Sequence, residues 1–182
     1  MAEAVHEHVE LHENGAVKAR LQMKDGRLEG PYFTGRPDGT PELRATFHDG
    51  ALEGPAIYYA PDGSIERELT FRRGVLDGVM VVHENGAPAM KLPYRAAVLE
   101  GEAIFLGADG QVTRNATYAR GLLHGPSTAF HPNGRVQEVA HYRHNKLHGD
   151  TVRYDEHGRL QERLCFDTGR PVPCPKETAA RR

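Results

Sequence analysis

The sequence contains no tryptophan, only two cysteines and two serines, and no long apolar run. Without a stretch of about 18 apolar residues, no segment is expected to cross a membrane as a helix. The N-terminus, MAEAVHEHVELHENG, has early acids and no apolar core, so it is unlike a signal peptide. Two cysteines are too few for a disulfide scaffold. Together these absences predict a cytoplasmic protein.

An excess of charge of one sign is also missing. The 182 residues carry a formal net charge of −2, from 23 Lys and Arg and 25 Asp and Glu. A protein that binds nucleic acid independently of sequence needs a basic excess, so nucleic acid is not an expected partner. Near-neutral charge also argues against disorder, although large apolar residues are sparse. The composition therefore indicates a folded chain with a lean core.

Glycine is abundant and periodic. One glycine follows Asp, Asn or His every 23 or 24 residues, at Gly15, Gly39, Gly63, Gly86, Gly110, Gly134 and Gly158. A G-x-L-x-G pattern keeps phase with it, and Ala97 and Asn145 replace the first glycine in two copies. Self-similarity at a fixed period indicates a repeat protein.

Within each repeat, apolar and polar residues alternate with a period of two, which is typical of half-buried strands. The eighth residue after the turn glycine is usually aromatic, as in Phe71 and Tyr118, and the sixth is Leu or Ala. Glycines at both turns favour tight connections. The pattern predicts an all-β fold: a single-layer antiparallel meander of stacked hairpins of about 24 residues, twisted into an elongated open trough.

The two ends of the array differ from its repeats. The repeat domain is predicted to span residues 1–170, with about six full repeats and partial terminal ones. Residues 171–182 begin with a Pro-rich segment and are predicted to end as a flexible tail. Proline cannot donate to a strand ladder, so this segment is suited to stopping further strand pairing.

No arrangement of residues predicts catalysis. Neither Ser64 nor Ser127 lies in a G-x-S-x-G motif, and a Cys–His pair needs a pocket that a one-layer sheet lacks. His6 and His8 share one face of the first strand without a third ligand nearby, so no metal or cofactor is expected. Cys165 and Cys174 are expected to be free structural thiols, with a disulfide between them as the alternative. The chain is predicted not to be an enzyme.

The G-x-L-x-G turn, the aromatic residue three positions before its first glycine and the Y/F-x-x-[DN]-G hairpin resemble MORN repeats. The pattern is most similar to the variant in bacterial YwqK-type antitoxin-like proteins and covers about residues 6–169. Gly35, in a slot that is aromatic in other copies, suggests a looser first repeat. The resemblance implies a protein-binding module, specifically an immunity protein that neutralises a secreted or polymorphic toxin, as a monomer or end-to-end dimer. A MORN-type structural scaffold or membrane-proximal interaction protein is the alternative.

Charged residues recur beside the G-x-L-x-G turns. An acidic row precedes the second glycine and turns to histidine at His124 and His148, and a basic row lies close by. Neighbours within a row are about 10 Å apart, too far to share a metal ion. The rows are either solvated turn charges that pair with each other or an electrostatic docking edge for a basic partner. The candidate partner-binding residues are Glu29, Glu53, Asp77, Glu100, Arg72 and Arg95.

Overall fold

The computed structural model describes residues 5–175, which form 18 β-strands and no helix. The chain divides after Val98 into two compact units. Within each unit, successive strands pair antiparallel, so the predicted all-β meander of hairpins is confirmed. The short strands β5, β8 and β11 have two residues each and are separated by one residue from the strand that follows.

The first unit contains β1 (His6–Leu11), β2 (Val17–Lys24), β3 (Arg27–Gly35), β4 (Pro41–His48), β5 (Ala51–Leu52), β6 (Gly54–Tyr59), β7 (Ile65–Arg72), β8 (Val75–Leu76), β9 (Gly78–Glu84) and β10 (Ala87–Arg95). The strand β11 (Val98–Leu99) lies at the division. The second unit contains β12 (Gly101–Leu106), β13 (Val112–Ala119), β14 (Leu122–Phe130), β15 (Val136–Arg143), β16 (Lys146–Tyr154), β17 (Leu160–Asp167) and β18 (Arg170–Val172).

The G-x-L-x-G motif builds a two-residue turn followed by a bulge. Both turn residues have positive φ, as at Asp25 (51°) and Gly26 (75°), which matches the twist of a tight hairpin. The register then advances from Met23–Leu28 to Leu21–Tyr32, so three residues of β3 lie opposite one residue of β2. This bulge, repeated in the other copies, directs the residue before the second glycine towards the neighbouring turn.

Ala97 and Asn145 keep the turn geometry although they lack the glycine. Their φ angles are 62° and 66°, in the left-handed region that favours glycine. The amide of each still donates to the leucine carbonyl of the preceding turn, Ala97 to Leu76 at 2.7 Å and Asn145 to Leu123 at 2.9 Å. The same bond joins Gly50 to Leu28 and Gly121 to Leu99. Adjacent repeats are therefore joined at this edge even where the motif is imperfect.

The opposite edge carries a longer turn, and where its first residue is His12, Arg36 or His131 that side chain reaches the next repeat. His12 Nε2 lies 2.8 Å from the carbonyl oxygen of Gly35, and His131 Nε2 lies 2.9 Å from that of Tyr154. Arg36 donates to the carbonyl of Tyr59 at 2.6 Å. These contacts join residues 23 positions apart, so both edges of each unit hold neighbouring repeats together.

Small side chains form the best-buried row. None of the large described side chains is fully buried, whereas Ala56, Ala103 and Ala116 have no exposed surface. In the second unit the cross-strand register places the buried residues side by side, in the order Ala103, Ala116, Ser127, Ala140 and Thr151. The predicted aromatic row, which includes Phe71 and Tyr118, lies two residues further along the same strands and is only half-buried. The tightest packing is therefore on the alanine row.

The C-terminal strands correct one prediction. Cys165 and Cys174 form a disulfide, rather than the free thiols expected from the sequence. The strand β18 folds back on β17 with Val172 opposite Cys165, which brings Cys174 within a Cα–Cα distance of 5.1 Å. The ordered strands thus reach two residues beyond the predicted boundary at 170. The sequence predicts that residues 171–182 end as a flexible tail. Residues 176–182 lie outside the described residues.

Candidate protein-binding surfaces

Three of the four predicted acidic residues are bound to backbone amides of the next turn. Glu29 Oε2 accepts from the amide of Asp49 at 2.8 Å, and Glu53 Oε2 accepts from that of Arg73 at 2.7 Å. In the second unit Glu100 Oε2 accepts from the amide of Arg120 at 2.7 Å. Each donor is the first residue of a two-residue turn, 20 positions further along the chain. The carboxylates therefore act as clamps between repeats.

Glu29 has the most elaborate clamp. Besides the amide of Asp49, its carboxylate meets His48, whose Nδ1 lies 2.9 Å from Glu29 Oε1. The hydrogen bond from the Asp49 amide, followed by that from His48, lowers the pKa of Glu29. Because these donors favour the charged form, Glu29 keeps its negative charge at neutral pH.

The other three predicted residues take no part in such clamps. Asp77 is half-buried after β8, and its own amide donates to the carbonyl of Thr70 at 2.9 Å. Arg72 ends β7 and Arg95 ends β10, and both are exposed. Five of the six predicted residues lie at successive turns of the first unit, and Glu100 lies in the second. The structure gathers them into no single cluster, and their role in docking stays a prediction.

A cluster of arginine and aromatic side chains on β2, β3, β4 and β6 was missed by the sequence reasoning. Arg20, Phe33 and Arg44 are cross-strand neighbours on one face of the first unit. The Arg44 guanidinium carbon lies 5.9 Å from the ring centroids of both Phe33 and Tyr59, within range of cation–π attraction. We call these four residues the Arg–aromatic cluster. The signal was the recurrence of arginine at Arg20 and Arg44, but only the strand register places Phe33 between them.

An open cavity of about 580 Å³ borders this cluster and includes Arg20, Phe33 and Arg44 in its wall. Gly35 accounts for the packing of Phe33 there. A Cβ atom on Gly35 would lie 2.7 Å from the carbonyl oxygen of Val17 and 3.1 Å from the Phe33 ring. Gly35 is buried, so the slot that holds Tyr59 in the next repeat is filled by Phe33 instead. The glycine in the sequence suggests a looser first repeat, but the Phe33 ring occupies the space that an aromatic side chain at position 35 would take.

Among residues 5–175, no group of three or more His, Cys, Asp or Glu side chains is arranged to hold a metal ion. The described residues also include no helix long and apolar enough to cross a membrane. Ser127 is buried, accepts a hydrogen bond from Arg114 Nε at 2.9 Å and donates to the carbonyl of Asn115 at 3.2 Å.

Comparison with known proteins identifies the repeat type. Residues 52–73 and 123–144 match the MORN repeat variant family. No curated protein matches the sequence significantly. Among solved structures, a chain from "Crystal structure of GtfA/B complex bound to UDP and GlcNAc" is similar at 15% identity and a TM-score of 0.23, over 46% of this chain and 21% of that one. At that TM-score the likeness carries no functional information. The chain thus contains MORN-variant repeats, one matched in each unit.

Proposed function

We propose that these MORN-variant hairpins form a non-catalytic protein-binding module and that the Arg–aromatic cluster is its main contact surface. One observation supports this choice most strongly. Arg44 is exposed between two aromatic rings, beside an open cavity, and forms no ion pair with any residue among 5–175. Arginine and tyrosine are enriched among the residues that dominate binding energy at protein interfaces.

The backbone suits such a surface because it is fixed independently of the exposed side chains. Backbone hydrogen bonds of the turns and buried alanines hold the strands, and none of these groups is a side chain of the Arg–aromatic cluster. A pre-ordered surface loses little conformational entropy on binding, which favours affinity. The exposed positions can therefore vary with the partner while the hairpins stay unchanged.

The proposed partner is a bacterial toxin, which the chain neutralises as an immunity protein by covering its active surface. The support for this finer proposal is the resemblance of the turn motifs to YwqK-type antitoxin-like proteins. The chain then acts in the compartment where the toxin acts. The sequence suggested the cytoplasm, but the disulfide favours a compartment that is not permanently reducing. Alkylation of free thiols in intact cells distinguishes the two compartments.

The decisive experiment combines capture with a toxicity assay. The tagged chain is used at about 0.15 M salt to capture a partner from the source lysate, and the partner is then expressed with and without the chain. The expected result is growth arrest by the partner alone and rescue by the chain. Arg44→Glu should weaken binding at least about tenfold. A partner without toxicity, or capture of several envelope proteins or of lipid, would favour a scaffold instead.

Arg67→Glu is the matched control for Arg44→Glu. Arg67 is also exposed and lies over a tyrosine, with its guanidinium carbon 4.7 Å from the Tyr58 ring centroid. It is on the opposite face of the same unit. Arg67 pairs with Tyr58, which pairs with Leu43, whereas Arg44 pairs with Ile57, and adjacent residues of a strand point to opposite faces. Binding should change less than about twofold. Equal losses in both variants would show that the contact surface is not the face of Arg44.

A further inference from the structure

The G-x-L-x-G edge of the second unit differs in charge from that of the first. In the first unit, the acids Asp25, Glu29, Asp49, Glu53 and Asp77 accompany the basic residues Lys24, Arg27, Arg72, Arg73 and Arg95. In the second unit four basic residues, Arg120, Arg143, Lys146 and Arg170, accompany only Glu100 and Asp167. His124 and His148 occupy the position before the second glycine, where Glu29, Glu53 and Glu100 form the clamps in other repeats, so these two turns have no clamp carboxylate.

Both carboxylates of this second edge already have partners within the unit. Glu100 accepts from the Arg120 amide at 2.7 Å, and Asp167 Oδ1 lies 3.2 Å from Nδ1 of His148. His124 no longer clamps the following turn and instead packs edge-on against His144, with ring centroids 5.0 Å apart. The four basic residues are exposed, and none of them forms an ion pair within the described range. With four basic residues against two carboxylates, the edge therefore presents an excess of positive charge.

We infer that this cationic edge, made of Arg120, Arg143, Lys146 and Arg170, binds an acidic segment of a protein partner. Successive turns are two strands apart, or about 10 Å. Carboxylates seven residues apart on a helix are separated by about 10.5 Å, so an acidic helix matches the spacing of the turns. The inference rests on the proposed protein-binding function and specifies its partner chemistry. The partner segment is therefore acidic, whereas the acidic row in the sequence had suggested docking of a basic partner.

A designed peptide tests this charge preference without knowledge of the natural partner. The probe is a fluorescent helical peptide with glutamate at every seventh position, and its counterpart has lysine at those positions. The full chain should bind the glutamate peptide more tightly in about 0.05 M salt and lose affinity as salt screens the charges. Preference for the lysine peptide, or no difference between the two, would overturn the inference.

Charge reversal locates the binding edge. The double variant Arg143→Glu/Lys146→Glu should weaken binding of the glutamate peptide at least about tenfold. The matched control, Lys24→Glu/Arg73→Glu, changes the same number of charges at exposed residues of the corresponding edge of the first unit and should change affinity less than about twofold. Circular dichroism checks that both variants fold. Equal losses in the two variants, or binding to phosphatidylserine vesicles but not to the peptide, would contradict the assignment.

The captured natural partner separates this inference from the proposed function. If the partner binds normally to the Arg143→Glu/Lys146→Glu variant, the cationic edge is not its docking site, and the proposed protein-binding function still stands. If no protein binds the chain at all, the proposed function fails. A loss of partner binding in this variant alone supports both.

Discussion

At the scale of single residues, this protein depends on a few backbone positions that must adopt positive φ. Each two-residue turn has two such residues in succession, and the second is usually glycine. The two exceptions are stabilised differently. Asn145 accepts a hydrogen bond from the amide of Leu123 at 2.7 Å through its side chain, whereas Ala97 has no side-chain group that can do so. Ala97 is therefore the strained member of the series.

Ala97→Gly should stabilise the protein by about 0.5–1 kcal/mol. Relief of the left-handed strain on a β-carbon, about 1–2 kcal/mol, exceeds the added entropy of the unfolded chain. Urea denaturation followed by circular dichroism measures the change. As a control, Asn145→Gly should give no gain, because it removes the bond from the Leu123 amide. A gain in both variants would show that the side chain of Asn145 contributes little.

The clamp residues make a second prediction at this scale. Glu53→Ala should destabilise the protein by about 1 kcal/mol, because the amide of Arg73 loses its carboxylate acceptor. Asp77→Ala is the control, since Asp77 holds the same position in the next repeat without a clamp bond within the described residues, and it should cost less than about 0.5 kcal/mol. Thermal unfolding of both variants tests this. A larger effect at Asp77 would refute the clamp as the source of stability.

The sequence predicted the positions of these residues better than their roles. Glu29, Glu53 and Glu100 stand out as a row because the period is strict, but their spacing alone does not show that the bulge after the turn brings each carboxylate to an amide of the next turn. The contact of Arg44 with Phe33 and Tyr59 likewise requires the register of three strands. Alternation alone placed the aromatic row correctly, yet it could not show that alanines are the better-buried residues.

At the scale of elements, the terminal strands of the described chain are the weakest pieces. The strand β1 is exposed throughout and pairs only with β2, and β18 has three exposed residues and includes Pro171. So short a strand contributes few hydrogen bonds of its own. The disulfide between Cys165 and Cys174 supplies the additional link that keeps β18 beside β17.

Reduction of this disulfide should therefore destabilise the second unit by about 2–3 kcal/mol, in line with the short loop that it closes. Urea unfolding with and without dithiothreitol measures the loss. The double variant Cys165→Ser/Cys174→Ser should unfold at the midpoint of the reduced protein and should not respond to dithiothreitol. If reductant shifted this variant as well, or left the wild-type chain unchanged, the disulfide would not hold the strand.

At the scale of the whole molecule, stability is distributed over many equivalent turns. Repeat proteins gain stability from contacts between neighbours, and here each G-x-L-x-G turn from Gly50 to Gly169 bonds through its second residue to the leucine carbonyl of the turn before it. Turn carboxylates contribute as well. The pKa of Asp155 is lowered from 3.8 to about 2 by hydrogen bonds to its carboxylate, and the bond from the amide of Arg159 contributes most. Thr40 lowers the pKa of Asp38 and Ser64 that of Asp62 in the same way.

These shifts predict acid sensitivity. Because the pKa of Asp155 is lower in the folded state, its contribution is complete above the unfolded pKa of about 3.8 and is lost as pH falls towards about 2. The free energy of unfolding should therefore decrease as the pH falls below about 4. Asp155→Asn should flatten this slope in a series of urea titrations, whereas Glu156→Gln, at an exposed neighbour, should not. An unchanged slope in Asp155→Asn would contradict the prediction.

The clamps between repeats also bear on how such a chain changes its length. Each clamp joins residues 20 positions apart, so it crosses a single repeat boundary. A gene segment of about 24 codons, cut at the same point of two repeats, can then be duplicated or excised with every clamp carboxylate still finding an equivalent amide donor. Insertion of one codon within a strand instead turns the following side chains to the wrong face. Unequal recombination in frame is thus a route by which binding surfaces of new length arise from folded ancestors.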